Sequence, residues 1–346
     1  AEITIGNDEL WEASGSINVP IVQDILAIRG TYAYSEFDGT WNNNHPLAGL
    51  DINPGLEGNQ GGWEKDYYSA AISFTPVQSL EIFASYDNWD SVTESNPGAS
   101  RIESAEGTTK CGIGDLLFCG TFTTPPESSL IQDPRHQGLN LQTEIIRAGF
   151  EWDVTDAVSL SYLFGHVESE VYTQTNGRLP FQSFPGFLVF VGTPIGELNY
   201  NSHEVRLAYD NDGAFRGEIG GFHSNGIDKD FFNFGFFAPV LPGDDVMPLF
   251  PSSPGLFLIS ETVTETDVWA VFFAATYEFW SDRARLNFEG RYTSEEKDIG
   301  RGAQNDTFKY FTPRITAEWD ITDSTLLYVS AARGVKAGGF NSPPSL

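Results

Sequence analysis

Apolar and polar residues alternate with a period of two through most of this chain, the pattern of strands with one apolar and one wet face. In 26–34, Leu26, Ile28, Tyr32 and Tyr34 share one face, and Arg29 and Thr31 lie on the other. In 79–87, Leu80, Ile82, Ala84 and Tyr86 oppose Glu81, Ser85 and Asp87. In 203–210, Val205, Leu207 and Tyr209 oppose Glu204, Arg206 and Asp210. In 284–292, Leu286, Phe288 and Tyr292 oppose Arg285, Asn287, Glu289 and Arg291. In 313–319, Pro313, Ile315, Ala317 and Trp319 oppose Arg314, Thr316 and Glu318. The run 263–279 is apolar on both faces, and 325–333 is ambiguous. The pattern predicts about thirteen strands, the first a remnant at 1–5. No run reaches the roughly 18 uninterrupted apolar residues of a membrane helix.

The connections fall into two lengths. Tight turns are predicted after 19–24, at 74–79, at 209–213 and at 280–282. Two more carry a repeated Trp-Asp-aliphatic-Thr-Asp pattern, at Trp152–Asp156 and Trp319–Asp323, where Asp and Thr side chains cap the backbone locally. Between them lie long polar or Gly/Pro-rich stretches, predicted as loops over roughly 37–64, 91–138, 171–200, 226–262 and 296–306. Short turns alternating with long loops match outer-membrane barrels, short on the periplasmic side and long outside. A soluble sandwich has no reason to segregate its loops in this way.

Composition sharpens the picture. Aromatic residues make up 14% of the chain while the mean hydropathy is −0.24, a combination suited to strands that alternate lipid-facing and lumen-facing residues. A net charge of −29 excludes a nucleic-acid partner, which requires a basic face. The acidity fits solvated extracellular loops, and equally bridging to lipopolysaccharide through divalent cations. Cys111 and Cys119 are the only cysteines. No further ligands surround them, so a short-loop disulfide in an oxidising compartment is expected, with two free thiols as the alternative. No secretory leader opens the chain, and both ends read as cut. An open sheet of this size leaves two unpaired edges, which lipid does not tolerate, so either the barrel closes or strands are missing.

Ordered segments along nearly the whole chain resemble TonB-dependent outer-membrane receptors. Gly334-Val335-Lys336-Ala337-Gly338-Gly339-Phe340-Asn341, following Leu326–Arg333, resembles the strand and glycine-rich loop of those barrels. Gly290–Lys297 and Phe308–Arg314 resemble the strands before it. Gly15–Pro20, Leu26–Arg29 and Asp38-Gly39 resemble the first hairpin after the plug domain, and Lys65–Tyr68 through Phe74–Pro76 the next descending strand. The resemblance implies an all-β transmembrane antiparallel barrel of about 22 strands. Residues 1–346 would be a partial barrel domain, with the plug, the TonB box and about nine closing strands missing. It also implies TonB-driven import of a scarce solute across the outer membrane of a Gram-negative bacterium. The glycine-rich form, in place of a Phe-Arg-Ala-Pro-like element, tilts the expectation from haem or cobalamin toward a ferric siderophore. A glycan ligand, a passive porin of about 12 to 14 strands and a barrel adhesin or enzyme are the alternatives.

Candidate chemistry is confined to recognition. Arg29, Arg147, Arg206, Arg216, Arg285, Arg291 and Arg314 fall on predicted inward positions beside Glu81, Glu151, Glu204, Glu218, Glu289 and Glu318. Alternating guanidinium and carboxylate groups suit docking of a plug or a ligand path, although any wet lumen needs polar side chains. Phe231, Phe234 and Phe236, with Phe184 and Phe187, are candidate ligand contacts at the extracellular mouth, unless they pack within their own loops. His45, His136, His166, His203 and His223 show no spacing for a metal or haem site. No catalytic motif is present, so no enzyme activity and no cofactor is expected; any iron belongs to the transported ligand.

Overall fold

The computed structural model describes residues 1–42, 60–94, 101–102, 118–119, 138–178, 189–238, 247–248, 257–280, 283–300, 302 and 304–340. Its strands are β1 (Glu2–Ile5), β2 (Trp11–Val22), β3 (Leu26–Phe37), β4 (Trp63–Val77), β5 (Leu80–Thr93), β6 (Arg101–Ile102), β7 (Phe118–Cys119) and β8 (Gly138–Thr155). They continue with β9 (Val158–Arg178), β10 (Val189–Asp210), β11 (Phe215–Ala238), β12 (Met247–Pro248), β13 (Phe257–Phe279), β14 (Ala284–Ile299), β15 (Gln304–Thr322) and β16 (Thr325–Ala332). Thirteen of these form one antiparallel wall in the order β1-β2-β3-β4-β5-β8-β9-β10-β11-β13-β14-β15-β16. β12 pairs with the top of β11, and β6 and β7 form a separate parallel pair. Among the described residues there is no helix.

Directly opposed residues in an antiparallel ladder share a face, so the register sorts every strand into two sides. One row runs Arg29, Ala71, Ser85, Arg147, Gly165, Ser202, Ser224, Val268, Glu295 and Phe308. An adjacent row on the other face runs Ile28, Ile72, Ala84, Ala148, Phe164, His203, His223 and Trp269. The second face holds a band of large apolar side chains that no described residue covers: Val271 is 57% exposed and Tyr277 52%. Such a surface is stable against lipid and not against water. Phe74, Trp152, Tyr209, Tyr277 and Trp319 edge the band near the tight turns, and Tyr32, Tyr68, Trp269, Tyr292 and Phe311 edge it at the opposite margin. These are the two aromatic girdles of a membrane barrel. A shallow groove among Ile17, Ile28, Ile72, Tyr86 and Ile146 lies on this apolar side.

The tight turns form as the sequence predicts. Thr155 accepts a hydrogen bond from the Ala157 amide and Thr322 one from the Ser324 amide, both at 3.3 Å. Each repeat also places a bulge just before its turn, between Asp153 and Thr155 and between Asp320 and Thr322. Bulges at Pro20/Val22 and Phe74/Val77 show the same device without the same sequence. The extra residue raises local twist where each hairpin closes.

The predicted loops at 171–200 and 226–262 require correction. β9, β10, β11 and β13 are 21, 22, 24 and 23 residues long, against 12 for β3, so much of those segments is strand. Likewise 296–299 and 304–306 of the predicted loop 296–306 are strand, the ends of β14 and β15. Above the lipid both faces meet water, so hydrophobic alternation fades while the backbone ladder continues. The both-sided apolar run at 263–279 also resolves. Trp269, Val271, Phe273 and Tyr277 face lipid, whereas Val268, Ala270, Phe272 and Ala274 lie on the polar face. In β16, Leu327, Val329 and Ala331 share the side of Trp319 and Ile315, and Tyr328 and Ser330 that of Glu318 and Thr316.

Just above the upper girdle, carboxylates oppose carboxylates on the outward side: Glu36 with Glu64, Asp66 with Asp90, Glu144 with Glu168, Glu170 with Glu197, and Asp267 with Glu296. Like charges placed directly opposite destabilise a sheet. Replacing Glu144 by Gln is therefore expected to stabilise the wall by about 0.2–1 kcal/mol. The gain should appear as a higher unfolding midpoint at low salt and shrink as salt screens the pair. An unchanged or lowered midpoint at low salt would show that the pair carries no repulsion.

Candidate functional site on the polar wall

All seven arginines predicted to point inward lie on the polar face. Five are held by carboxylates. Arg147 meets Asp87 at 2.9 Å, Arg216 meets Glu278 at 2.8 Å, and Arg314 pairs with Glu289 across β14–β15. Arg206 lies between Glu204 at 2.6 Å and Glu218 at 3.6 Å, and Arg285 between Glu318 at 2.8 Å and Asp320 at 3.1 Å. Each pair fixes a long side chain against the wall, so the charges form a patterned surface. Glu81 and Glu151 also lie on this face, opposite one another, and Ser73 donates to Glu81 at 2.8 Å.

Among the described residues Arg29 and Arg291 have no carboxylate partner, and Arg291 donates to Thr293 at 3.4 Å. Arg291 lies over the rings of Phe222 at 5.0 Å and Phe272 at 5.8 Å, while Arg206 lies over Phe272 at 5.1 Å from the other side. Two guanidiniums and two phenyl rings thus make a cation–π cluster across β10, β11, β13 and β14. Gly220 makes room for it, because a Cβ there would stand 2.2 Å from the Phe272 ring. Periodicity predicted inward arginines, but not that aromatic rings would share their face.

The glycine-rich segment after β16 lies back on the same wall. Lys297 donates to the Gly338 carbonyl at 3.0 Å and pairs with Glu295 at 2.9 Å; Tyr310 donates to Glu295 at 3.4 Å. Phe340 packs beside Phe308 with ring centroids 6.1 Å apart.

A second polar-face cluster occupies β2–β5. The Trp63 indole donates to Ser35 at 3.0 Å, and Ser35 donates to Glu12 at 3.2 Å. Lys65 sits 4.7 Å above the Trp63 ring, and Phe37 lies 4.5 Å from Trp63 by ring centroid. Tyr67 donates to Asp87 at 2.7 Å, which fixes its ring beside Trp89 at 6.1 Å. Sequence reading passed over this group because its members are spread over residues 12–89 and meet only through register.

The candidate phenylalanines do not form one set. Phe231 occupies an outward position of β11; Phe234 and Phe236 belong to the same strand, with side chains outside the described ones. Phe184 and Phe187 lie outside the described residues, as do Cys111, His45 and His136; Cys119 is in β7, opposite Ile102. His166, His203 and His223 all lie outward, the first and last as predicted. His203 and His223 stack at 6.3 Å, His223 stacks on Trp269 at 3.9 Å, and Tyr162 and His203 share a hydrogen bond of 2.8 Å. They extend the upper aromatic girdle. Among the described residues no three His, Cys, Asp or Glu side chains gather to hold a metal ion.

An antiparallel wall with a lipid-facing apolar band and a lumenal charge lattice defines a portion of an outer-membrane-type β-barrel. The chain belongs to the TonB-dependent receptor family: the model of the TonB dependent receptor-like β-barrel matches residues 84–345. Solved structures share the fold. The ferric yersiniabactin uptake receptor FyuA from Yersinia pestis superposes with a TM-score of 0.61 at 14% identity, over 94% of this chain and 45% of FyuA. BauA, the ferric preacinetobactin receptor from Acinetobacter baumannii, gives 0.62 at 12% identity, over 94% and 45%. PiuA, a siderophore receptor from Acinetobacter baumannii, gives 0.62 at 10%, over 95% and 48%. The chain spans less than half the length of these receptors. No curated protein sequence matches it.

Proposed function

We propose that the protein is a receptor in the outer membrane of a Gram-negative bacterium that binds a scarce solute, a ferric siderophore first, and imports it with energy from the TonB complex. The polar wall supports this reading most directly. Five ion-paired arginines and the cation–π cluster of Arg206, Arg291, Phe222 and Phe272 give a rigid, patterned lumen. A passive pore needs only a wet lining, whereas a surface that must hold and release a folded plug needs oriented donors and acceptors. Arg29 and Arg291, which have no carboxylate partner among the described residues, are the groups through which a lumen-filling domain would dock. Iron, on this reading, is cargo and not a resident cofactor, and the protein is not an enzyme. The outward carboxylate belt is suited to bridging to lipopolysaccharide through divalent cations.

The experiment is uptake of radio-iron by cells carrying the full-length receptor, supplied with a panel of ferric chelates, with and without an intact TonB complex. Accumulation of one chelate that disappears without TonB is the expected result. TonB-independent entry of several unrelated small solutes would sink the reading. In the same cells Phe234→Ala with Phe236→Ala should weaken ligand binding about tenfold while barrel assembly is unchanged. Undiminished affinity would remove the upper part of β11 from the ligand path.

A further inference from the structure

At the lumenal side of β1–β5 the wall holds a recess of about 350 Å³ bordered by Glu2, Glu12, Ser35, Lys65, Tyr67 and Trp89. Its chemistry is uneven. Trp89 is 45% exposed, and its indole N–H has no partner among the described residues, unlike that of Trp63, which is engaged by Ser35. Tyr67 cannot swing away, because Asp87 holds its hydroxyl at 2.7 Å and Arg147 holds Asp87 at 2.9 Å. Two rings and an indole N–H that no described residue engages therefore present a fixed, wet aromatic shelf, the kind of surface that stacks a flat or polyhydroxylated group.

The charges beside the shelf decide what can stack there. Glu2 and Glu12 contribute two carboxylates, and Glu12 uses one oxygen toward Ser35. The one cation, Lys65, is drawn over the Trp63 ring. The chain as a whole holds 48 acidic against 19 basic residues, and five of the lumenal arginines are already neutralised by carboxylates. A polyanion entering this recess meets carboxylates in excess over the single lysine of its lining, which slows association and costs binding energy. Hydroxyl or amine donors meet acceptors.

We propose that the recess on β1–β5 is a ligand subsite for a solute without net negative charge, stacked on Trp89 and Tyr67 and donating hydrogen bonds to Glu12. It rests on the receptor function proposed above and narrows the cargo to neutral or cationic chelates. Aromatic rings provide the contact, and the carboxylates reject polyanions.

The test uses the full-length receptor in detergent, with tryptophan quenching and calorimetry at about 150 mM salt, where the Debye length is about 8 Å. Three probes are titrated: ferrichrome, an electrically neutral ferric trihydroxamate; ferric enterobactin, a trianionic tris-catecholate; and maltoheptaose, neutral and iron-free. A neutral probe should bind more tightly than the trianion. Trp89→Ala should weaken that binding about tenfold, whereas Trp89→Phe, which keeps a ring and so checks folding, should largely preserve it. Glu12→Lys should reverse the preference by raising affinity for the trianion. If only maltoheptaose binds, the subsite stands and the iron-chelate reading fails. The subsite is overturned if the trianion binds most tightly in the native protein, if no probe binds, or if neither Trp89→Ala nor Glu12→Lys alters any affinity.

Discussion

Phe273→Arg should prevent the barrel from assembling in lipid, at a cost of about 2–4 kcal/mol, the penalty for a guanidinium near the bilayer midplane. Phe273 lies on the lipid face of β13, midway between Trp269 at the upper girdle and Tyr277 at the lower, where no snorkelling side chain reaches a headgroup. Its ring also covers Gly290 on β14, where a Cβ would stand 2.6 Å from it, so the substitution uncovers backbone as well. The neighbouring position gives the control. Ala274 faces the lumen, directly between Glu218 on β11 and Glu289 on β14. Ala274→Arg should therefore leave stability within about 0.5 kcal/mol of the parent. The measurement is folding of the full-length protein into lipid vesicles, followed by heat-modifiable mobility and urea titration. A costly Ala274→Arg beside a tolerated Phe273→Arg would show that lipid meets the opposite face, and equal tolerance of both would show that neither position meets lipid.

That pair of neighbours also shows where sequence reading succeeds and where it stops. Period-two alternation placed Arg206, Arg285, Arg291 and Arg314 on the lumenal side, because within the lipid zone each strand must be apolar outward and wet inward. The rule fails in 263–279, where Phe272 and Ala274 are apolar and yet lumenal. Phe272 serves as a ring beneath two guanidiniums, and that role exists only once β10, β13 and β14 are side by side. It fails again at the tops of β9 to β13, where water on both faces removes the constraint that made strands visible. Turns were legible because Thr155 and Thr322 cap them through contacts two residues away. The recess on β1–β5 and the opposed carboxylates were not, since both depend on which residue stands across from which. A one-residue change of register would dissolve either.

Gly338→Val should lower the unfolding midpoint by an amount equivalent to about 1–3 kcal/mol, the usual range for overpacking, and release the glycine-rich segment from the wall. A Cβ at Gly338 would stand 2.0–2.3 Å from three atoms of the Phe308 ring, including its root, so a small rotation does not relieve the contact. Gly338 is not among the positive-φ glycines, so the cost is steric and not conformational. This gives the substitution an unusual signature. Phe308→Ala alone should also destabilise, because it removes the ring that Phe340 packs beside. Combined with Gly338→Val it should cost less than the sum of the two, since the cavity left by the ring accepts the valine. Lys297→Met provides an independent release, deleting the donor to the Gly338 carbonyl while keeping the length of the side chain. A spin-label pair between β14 and residue 339 should show the segment departing from the wall in Gly338→Val and Lys297→Met, and returning in the double variant. Strict additivity of the two costs, with the segment still displaced, would mean that Gly338 is required by its backbone and not by the ring it faces.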